Sequence, residues 1–362
     1  MIVQLKKFKG LTLPVILFAL VFLNAVFAFS QENTAISTLI PRFAPTVNPS
    51  PTPKPYIYNK EKEKSKTKNR IRNESDTPAE KSLAVDAKVN ISLCVSEGNV
   101  KVNGWDRSEI RAFVSNGSQV GFKIMQRSKQ TNSPVWVIAV GFDPAKNTDA
   151  NADECLSGDE IELDVPRYAT VNIKSRESGV TIESVGKVRV ENDGGDICLK
   201  NIAWGIEART YQGSVTVGNS SGAMSLSTTD GNIVAYEASP SEIGDVFKAK
   251  TTNGQIALDK IEHRQLDVGS ISGSIKFAGE FLNGGQYNFS TSSGLILLVV
   301  PEKSSCWINA SLAYGTFHSE IPLITENISN PNGIKSLTGV LGKGEAKLSL
   351  KTYNGRINIK KQ

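Results

Sequence analysis

The chain has 362 residues, 39% of them hydrophobic, and carries 41 Lys and Arg against 36 Asp and Glu. That length gives one or two domains with ample material for a core. The formal charge of +5 belongs to the N-terminal part: residues 1–28 hold three Lys and no acid, and residues 29–81 hold ten Lys and Arg against six Asp and Glu, so the portion from Ser82 onward is left at −2, which excludes an electrostatically driven nucleic-acid-binding domain.

The first element is MIVQLKKFKGLTLPVILFALVFLNAVFAFS. Lys6, Lys7 and Lys9 form a charged end, Leu11 to Phe27 an apolar run, and Val26 and Ala28 are small residues suited to processing. This pattern predicts a signal peptide over 1–28, cleaved after Ala28. The run is close to the shortest that spans a bilayer, so an uncleaved anchor is the alternative; Pro14 and Asn24 inside it favour cleavage. No later segment is apolar enough to span a membrane.

Residues 29–81 read as a tether. Six of the fifteen prolines fall between Pro41 and Pro55, an extended polyproline-type spacer reaching roughly 45 Å at ~3.1 Å per residue. The run NKEKEKSKTKNRIRNES follows without apolar periodicity and reads as disordered. A basic tether either attracts anionic lipid headgroups, lipopolysaccharide or wall polymer, or serves only as a solvated spacer.

From Ser82 the composition turns to Val, Ile, Thr, Gly and Asn, with no long stretch of helical periodicity. Stretches such as SLSTTDGNIVAYE (225–237), FKAKTTNGQIALDK (247–260) and SLKTYNGRINIKK (349–361) say the same thing again. Aligned on the turn residue, the units centre on Gly98, Ser178, Gly195, Gly213, Gly231, Gly254, Gly273, Gly294, Gly315 and Gly355. Positions seven and five before this corner, and two after it, are apolar or aromatic in every unit. Each unit is therefore two short strands with one buried face, joined at a corner that needs φ > 0. Three places before the corner stands a hydroxyl in seven units: Ser175, Thr210, Thr228, Thr251, Ser270, Thr291 and Thr352. Such an oxygen can satisfy backbone groups at the corner, and neighbouring coils would stack these residues into a ladder.

The repeat is too short for a βαβ unit. It predicts an all-β, right-handed two-sheet β-solenoid over 82–362 with about ten coils of ~18–21 residues. The alternative, a meander of hairpins, does not require one corner in constant phase. Two intervals interrupt the period. Residues 82–177 form an irregular lead-in, with strand-like runs at 109–115, 120–126, 135–142 and 159–165 and a polar loop at 143–158; this predicts a hairpin-like N-terminal cap, before regular repeats over 178–362. Between Gly315 and Gly355 the insertion TENISNPNGIKSLTGVLGKGEAK predicts a flexible loop, its glycines making only a weak phosphate-cradle pattern.

TTDGNIVA, TTNGQIAL and TSSGLILL resemble the Thr-Ser-x-Gly-x-Ile-x-Val repeats of the bacterial "putative-adhesin" family of exported β-solenoids. GNVKVNGWDRSEIRAFV (98–114), ELDVPRYATVNIKS (162–175) and GVLGKGEAKLSLKTYNGRINI (339–359) resemble its opening, its Val-Pro turn and its close. The resemblance covers roughly Leu83 to Lys360. Ser178 in the glycine slot and the stretched gap before Gly355 depart from it. The family implies an exported surface solenoid and carries no established catalytic residues, so none is transferred.

Chemistry-bearing residues are sparse. Asp196 has only Ser214 and Gly179 as neighbours at its position, so no acidic strip forms there. Glu97, Asp193 and Asp230 lie at or beside corners, where such residues serve turns. His263 and His318 belong to different coils, and the four cysteines include no Cys-x-x-Cys, so neither a zinc site nor any other metal or cofactor is expected. Cys94 with Cys155 is the preferred disulfide, because Cys198 and Cys306 fall within the repeats; free thiols stay open as the alternative. Trp105, Trp136, Trp204 and Trp307 can stack on sugar rings, although Trp105 fits a core position. The sequence thus predicts no catalytic residues. It predicts a non-enzymatic protein of the periplasm, cell surface or extracellular space that binds a glycan, a protein or an envelope polymer, with no nucleic-acid partner and with membrane contact only through an uncleaved signal or the tether. The alternatives are a carbohydrate-active hydrolase or lyase, and the ligand-reading domain of an anchored envelope sensor.

Overall fold

The computed structural model describes residues 79–125, 136–142, 155–329 and 333–362. The expected signal, the tether up to residue 78 and most of the polar loop at 143–158 lie outside the described residues. The folded part reaches three residues into the span read as tether, because strand Ala79–Ala84 pairs antiparallel with Glu109–Ser115. Among the described residues there is no α-helix, and none long and apolar enough to cross a membrane.

Each repeat unit is one coil of a β-solenoid, and its two strands enter separate walls. In the wall before the corner, Val171, Val188, Ile206, Met224, Phe247, Leu266 and Tyr287 lie in one parallel register. In the wall after the corner, Val180, Ile197, Val215, Ile233, Ile256, Ile275 and Ile296 do the same. Alternate residues of both walls point inward and fill one core. Contact across the core is direct: Phe277 of one wall lies 5.4 Å, ring centre to ring centre, from Phe289 of the other. Of the thirty repeated apolar positions only Phe317 is not fully buried. It belongs to the outermost coil, with no coil beyond to cover it.

Sequence order and spatial order diverge at both ends. The first coil in sequence, Asn90–Trp105, lies second in space, between Trp136–Phe142 with Leu156–Pro166 on one side and Thr170–Glu177 with Val180–Glu183 on the other. The last strand, Ala346–Lys361, lies between Gln286–Val300 and Cys306–Ser319, parallel to both. The N-terminal cap has the expected strands: Gln119–Met125 pairs antiparallel with Trp136–Phe142, and Glu109–Ser115 with Leu156–Pro166. Cys94 and Cys155 form a disulfide with a Cα–Cα distance of 4.6 Å, tying the cap to the first coil. Cys198 and Cys306 are free.

The insertion before the last corner is not the flexible loop its composition suggests. Ile324–Ser329 and Lys335–Leu341 form an antiparallel hairpin that extends the wall beyond Cys306–Leu312. Its alternating Leu337, Gly339 and Leu341 face inward enough to continue the pleat.

Candidate functional site

The corner explains where the hydroxyls point. Thr210, Thr228, Thr251, Ser270 and Thr291 each donate to the carbonyl of the preceding coil's corner glycine, at 2.8–3.2 Å. The ladder therefore runs hydroxyl to carbonyl, and every member is buried. In the unit of Gly195 the role falls to Asn192, which accepts from Ser175 and donates to the carbonyls of Ser178 and Gly195. Just past the corner a second ladder forms: Asp196 accepts from the amide of Ser214 at 2.7 Å, and Asn232 from that of Gln255 at 2.8 Å. Asp196 is thus engaged with backbone, and Asp230 accepts from Asn253 at 2.7 Å.

Because the hydroxyls three places before the corner turn inward, residues four and two places before it form the outer surface of that wall. There a shallow groove of about 700 Å³ crosses seven coils, from the coil of Arg209 to that of Ser311. At ~4.8 Å per coil it is about 29 Å long. Ser227, Thr229, Thr252, Ser290 and Ser292 line it, and Gly269 opens its floor by having no side chain. Arg209, Lys250 and Lys351 supply positive charge, while Tyr353, Ile271 and Ile334 supply apolar edges. Lys250 is paired with Asp267 at 2.9 Å; Arg209 and Lys351 have no ion-pair partner among the described residues. The earlier coils of the same face differ. There Lys174, Arg189, Glu191 and Glu207 neutralise one another, and the Arg189 hydrogen bond holds the Glu191 carboxyl below its usual range.

The other sequence candidates fall outside the groove. His318 is exposed, as expected of a residue following Phe317. His263 is buried; its Nε2 meets the Gly222 carbonyl at 2.9 Å, and burial lowers its pKa. Burial pushes the Cys306 thiol up to about 12, which makes it unreactive. The glycine-rich turn at 342–345 makes no phosphate cradle, since the amides of Lys343 and Glu345 already donate to the Ser305 hydroxyl at 3.0 and 3.1 Å. Among the described residues no group of three His, Cys, Asp or Glu is placed to hold a metal ion.

Trp105 is not in the core. It is half-buried, donates to the Glu109 carbonyl at 2.7 Å, and lies under the guanidinium groups of Arg107 and Arg111. The chain turns outward after it into the cap, so no second wall closes over the indole. Trp136 is half-buried, with its indole N–H on Ser92, while Trp204 and Trp307 are exposed.

The family model described as Toastrack DUF4097 matches residues 86–360. No curated protein matches the chain. Among solved structures the chain is similar to a "putative adhesin" from Parabacteroides merdae ATCC 43184, at 9% identity over 80% of this chain and 97% of that one, with a TM-score of 0.32. It is similar to a "putative cell adhesion protein" from Clostridium sporogenes ATCC 15579, at 11% identity over 79% and 100% of the two chains, with a TM-score of 0.19. A third, a "putative lipid binding protein" from Parabacteroides distasonis ATCC 8503, is 9% identical over 79% and 97%, with a TM-score of 0.29.

Proposed function

The chain belongs to the Toastrack DUF4097 family, and from that premise we propose that it is an exported, non-enzymatic β-solenoid that binds a surface or envelope polymer along its groove, adhesion being one such role. One observation carries the reading: the groove lining combines hydroxyls with three cations and includes no carboxylate and no histidine. Glycoside hydrolysis needs two carboxyl groups flanking the bond, so this surface is equipped to hold a polymer and lacks the pair that would cut it. Rows of hydroxyls at coil spacing suit an extended chain with repeating polar groups, and Arg209 and Lys351 favour one that carries anions. Export is supported by the charged-then-apolar leader and by a disulfide on the molecular surface, which fits an oxidising compartment.

The test is binding of the full chain to immobilised acidic polymers (polygalacturonate, hyaluronan, alginate and lipoteichoic acid), with product release assayed on the same polymers. Saturable binding to at least one, weakened several-fold by Arg209→Gln together with Lys351→Gln and without product, is expected. Release of shortened chains, or binding to none of the four, overturns the reading.

A further inference from the structure

The opposite edge of the solenoid, where each coil passes into the next, carries a second feature that the groove does not use. Gly186 donates its amide to the Ala169 carbonyl and Trp204 donates its own to the Gly186 carbonyl, so Tyr168, Gly186 and Trp204 mark three successive coils. Without a side chain on Gly186 the two flanking rings close over it, for a Cβ there would come within 2.7 Å of the indole. Tyr168 and Trp204 stack with centroids 5.6 Å apart and planes 12° apart. Both stay exposed, at 51% and 43%. An aromatic pair of this size left in water is costly unless something covers it.

Tyr168 covers the indole from the side of the earlier coils. Trp204 also lines two adjoining hollows of about 290 and 660 Å³, together with Lys187 and Ala223. Their far walls come from later coils: Val246 and Lys248 in one, Pro240, Ser241, Glu242 and Asp245 in the other. The result is a slot beside an indole face, floored by Ala223 and open to solvent. Its far rim is preorganised, since one oxygen of Asp245 accepts from the Ser241 amide, the Ser241 hydroxyl and the Glu242 amide, all at 2.9–3.0 Å. Burial works against the ionised Asp245, yet those hydrogen bonds outweigh it and hold its pKa below the usual value. The rim exists because the coil from Gly231 to Gly254 is longer than its neighbours, the extra residues forming the loop at 240–245.

We propose that this slot is a saccharide-binding subsite in which a neutral hexopyranose lays its C–H face on the Trp204 indole. Its hydroxyls meet Lys187 on one side and the carboxylates and hydroxyl of the 240–245 loop on the other. A flat aromatic ledge with polar groups at its margin is the usual chemistry for a ring that is apolar on its faces and polar at its edge. Glu242 and Asp245 balance Lys187 and Lys248 around the slot, and Glu207 is already paired with Arg189, so the rim offers no net cation to an acidic sugar and suits a neutral one. The site is independent of the groove and stands whether or not that surface binds anionic polymer.

The experiment uses the full chain labelled with 5-fluorotryptophan, whose four signals are assigned by single Trp→Phe variants. Tetrasaccharides of glucose, mannose, galactose and N-acetylglucosamine are titrated to millimolar concentration. The expected result is a saturable shift of the Trp204 signal with at least one of them. Trp204→Ala, followed by calorimetry, is expected to weaken binding about tenfold, while Lys276→Gln, exposed on the wall after the corner and outside both hollows and the groove, leaves it unchanged. If Trp204→Ala does not melt like the parent, Lys187→Met and Glu242→Gln take its place, each expected to weaken binding several-fold. The proposal is overturned if no tetrasaccharide moves the Trp204 signal, or if the folded variants bind as the parent does.

Discussion

A methyl group built on Gly254 would lie 1.9 Å from the carbonyl oxygen of Gly231, and the residue itself holds φ at +153°. Gly231 and Gly355 do not occupy the left-handed region, yet a Cβ on either would also lie 1.9 Å from the carbonyl oxygen of the neighbouring corner. Close approach between coils is therefore the requirement shared by the corner glycines, Ser178 alone having room for a side chain at its corner, and positive φ is added only at some of them. The two contributions can be separated. Gly244 also has positive φ, at +97°, but nothing lies within 4 Å of its missing Cβ. Gly244→Ala should cost about 1 kcal/mol, from torsion alone. Gly254→Ala should cost about 3–5 kcal/mol, because torsion and a collision with a neighbouring backbone add. Chemical denaturation of both variants measures the difference, and equal midpoints would refute the close-approach account. Thr251 shares in the same corner, since its hydroxyl meets the Gly231 carbonyl that Gly254 must approach.

At the scale of the element, the cap depends on one covalent link. Cys94 is on the outer face of the first coil, and Cys155 immediately precedes the strand Leu156–Pro166 that pairs beside it. The bridge closes a loop across a separation of 61 residues, which the chain-entropy argument values at about 4 kcal/mol. Cys94→Ser and Cys155→Ser should each lower stability by up to that amount. The double variant should lose no more than either single one, a non-additivity readable from four denaturation curves, the parent's included. The repeat strands are legible in the amino-acid sequence, because period-2 burial and the corner phase place Ile91 or Val268 inward without further information. The second turn of each coil is not. It lies six residues past the corner, where Ser184, Asn201, Asn219, Glu237 and Lys260 all take φ of +45° to +61°. Their side chains are polar but of four different types, and glycine is absent from all five, so alignment on a turn residue does not find them, although the phase alone points to that position. The hairpin at 324–341 escapes a reading of composition for a related reason: its glycines and asparagines suggest a loop, whereas pairing with Cys306–Leu312 decides the matter. The slot beside Trp204 depends on a glycine between two rings in different coils, a juxtaposition that spacing along the chain does not disclose.

For the molecule as a whole, the exchanged order of the end coils changes what its termini do. In a simple solenoid each coil touches only its neighbours, so trimming the last unit removes one interface and leaves the rest standing. Here the last strand in sequence is an interior coil. It holds Gln286–Val300 on one side and Cys306–Ser319 on the other, and among the described residues the hairpin pairs with the body of the solenoid through the latter. The groove depends on it as well, for Lys351 and Tyr353 lie between Ser290 and Ser311 in the lining. Two deletions of similar length should therefore behave oppositely. Removing residues 255–273, one full period, joins Gly254 to Ser274 and lets both walls close in the same register, as the equivalence of Ile256 with Ile275 and of Leu266 with Tyr287 requires. That variant should keep its β-rich circular dichroism and a single unfolding transition at lowered midpoint. Removing residues 344–362 takes out the interior coil, leaves the wall of Gln286–Val300 with an open apolar edge, and strands Cys306–Ser319 with its hairpin. It should lose cooperative unfolding or aggregate, as unpaired parallel edges do. Were the C-terminal deletion to unfold as sharply as the internal one, the last strand would have to sit at the end of the stack, and the placement of Lys351 in the groove would fall with it.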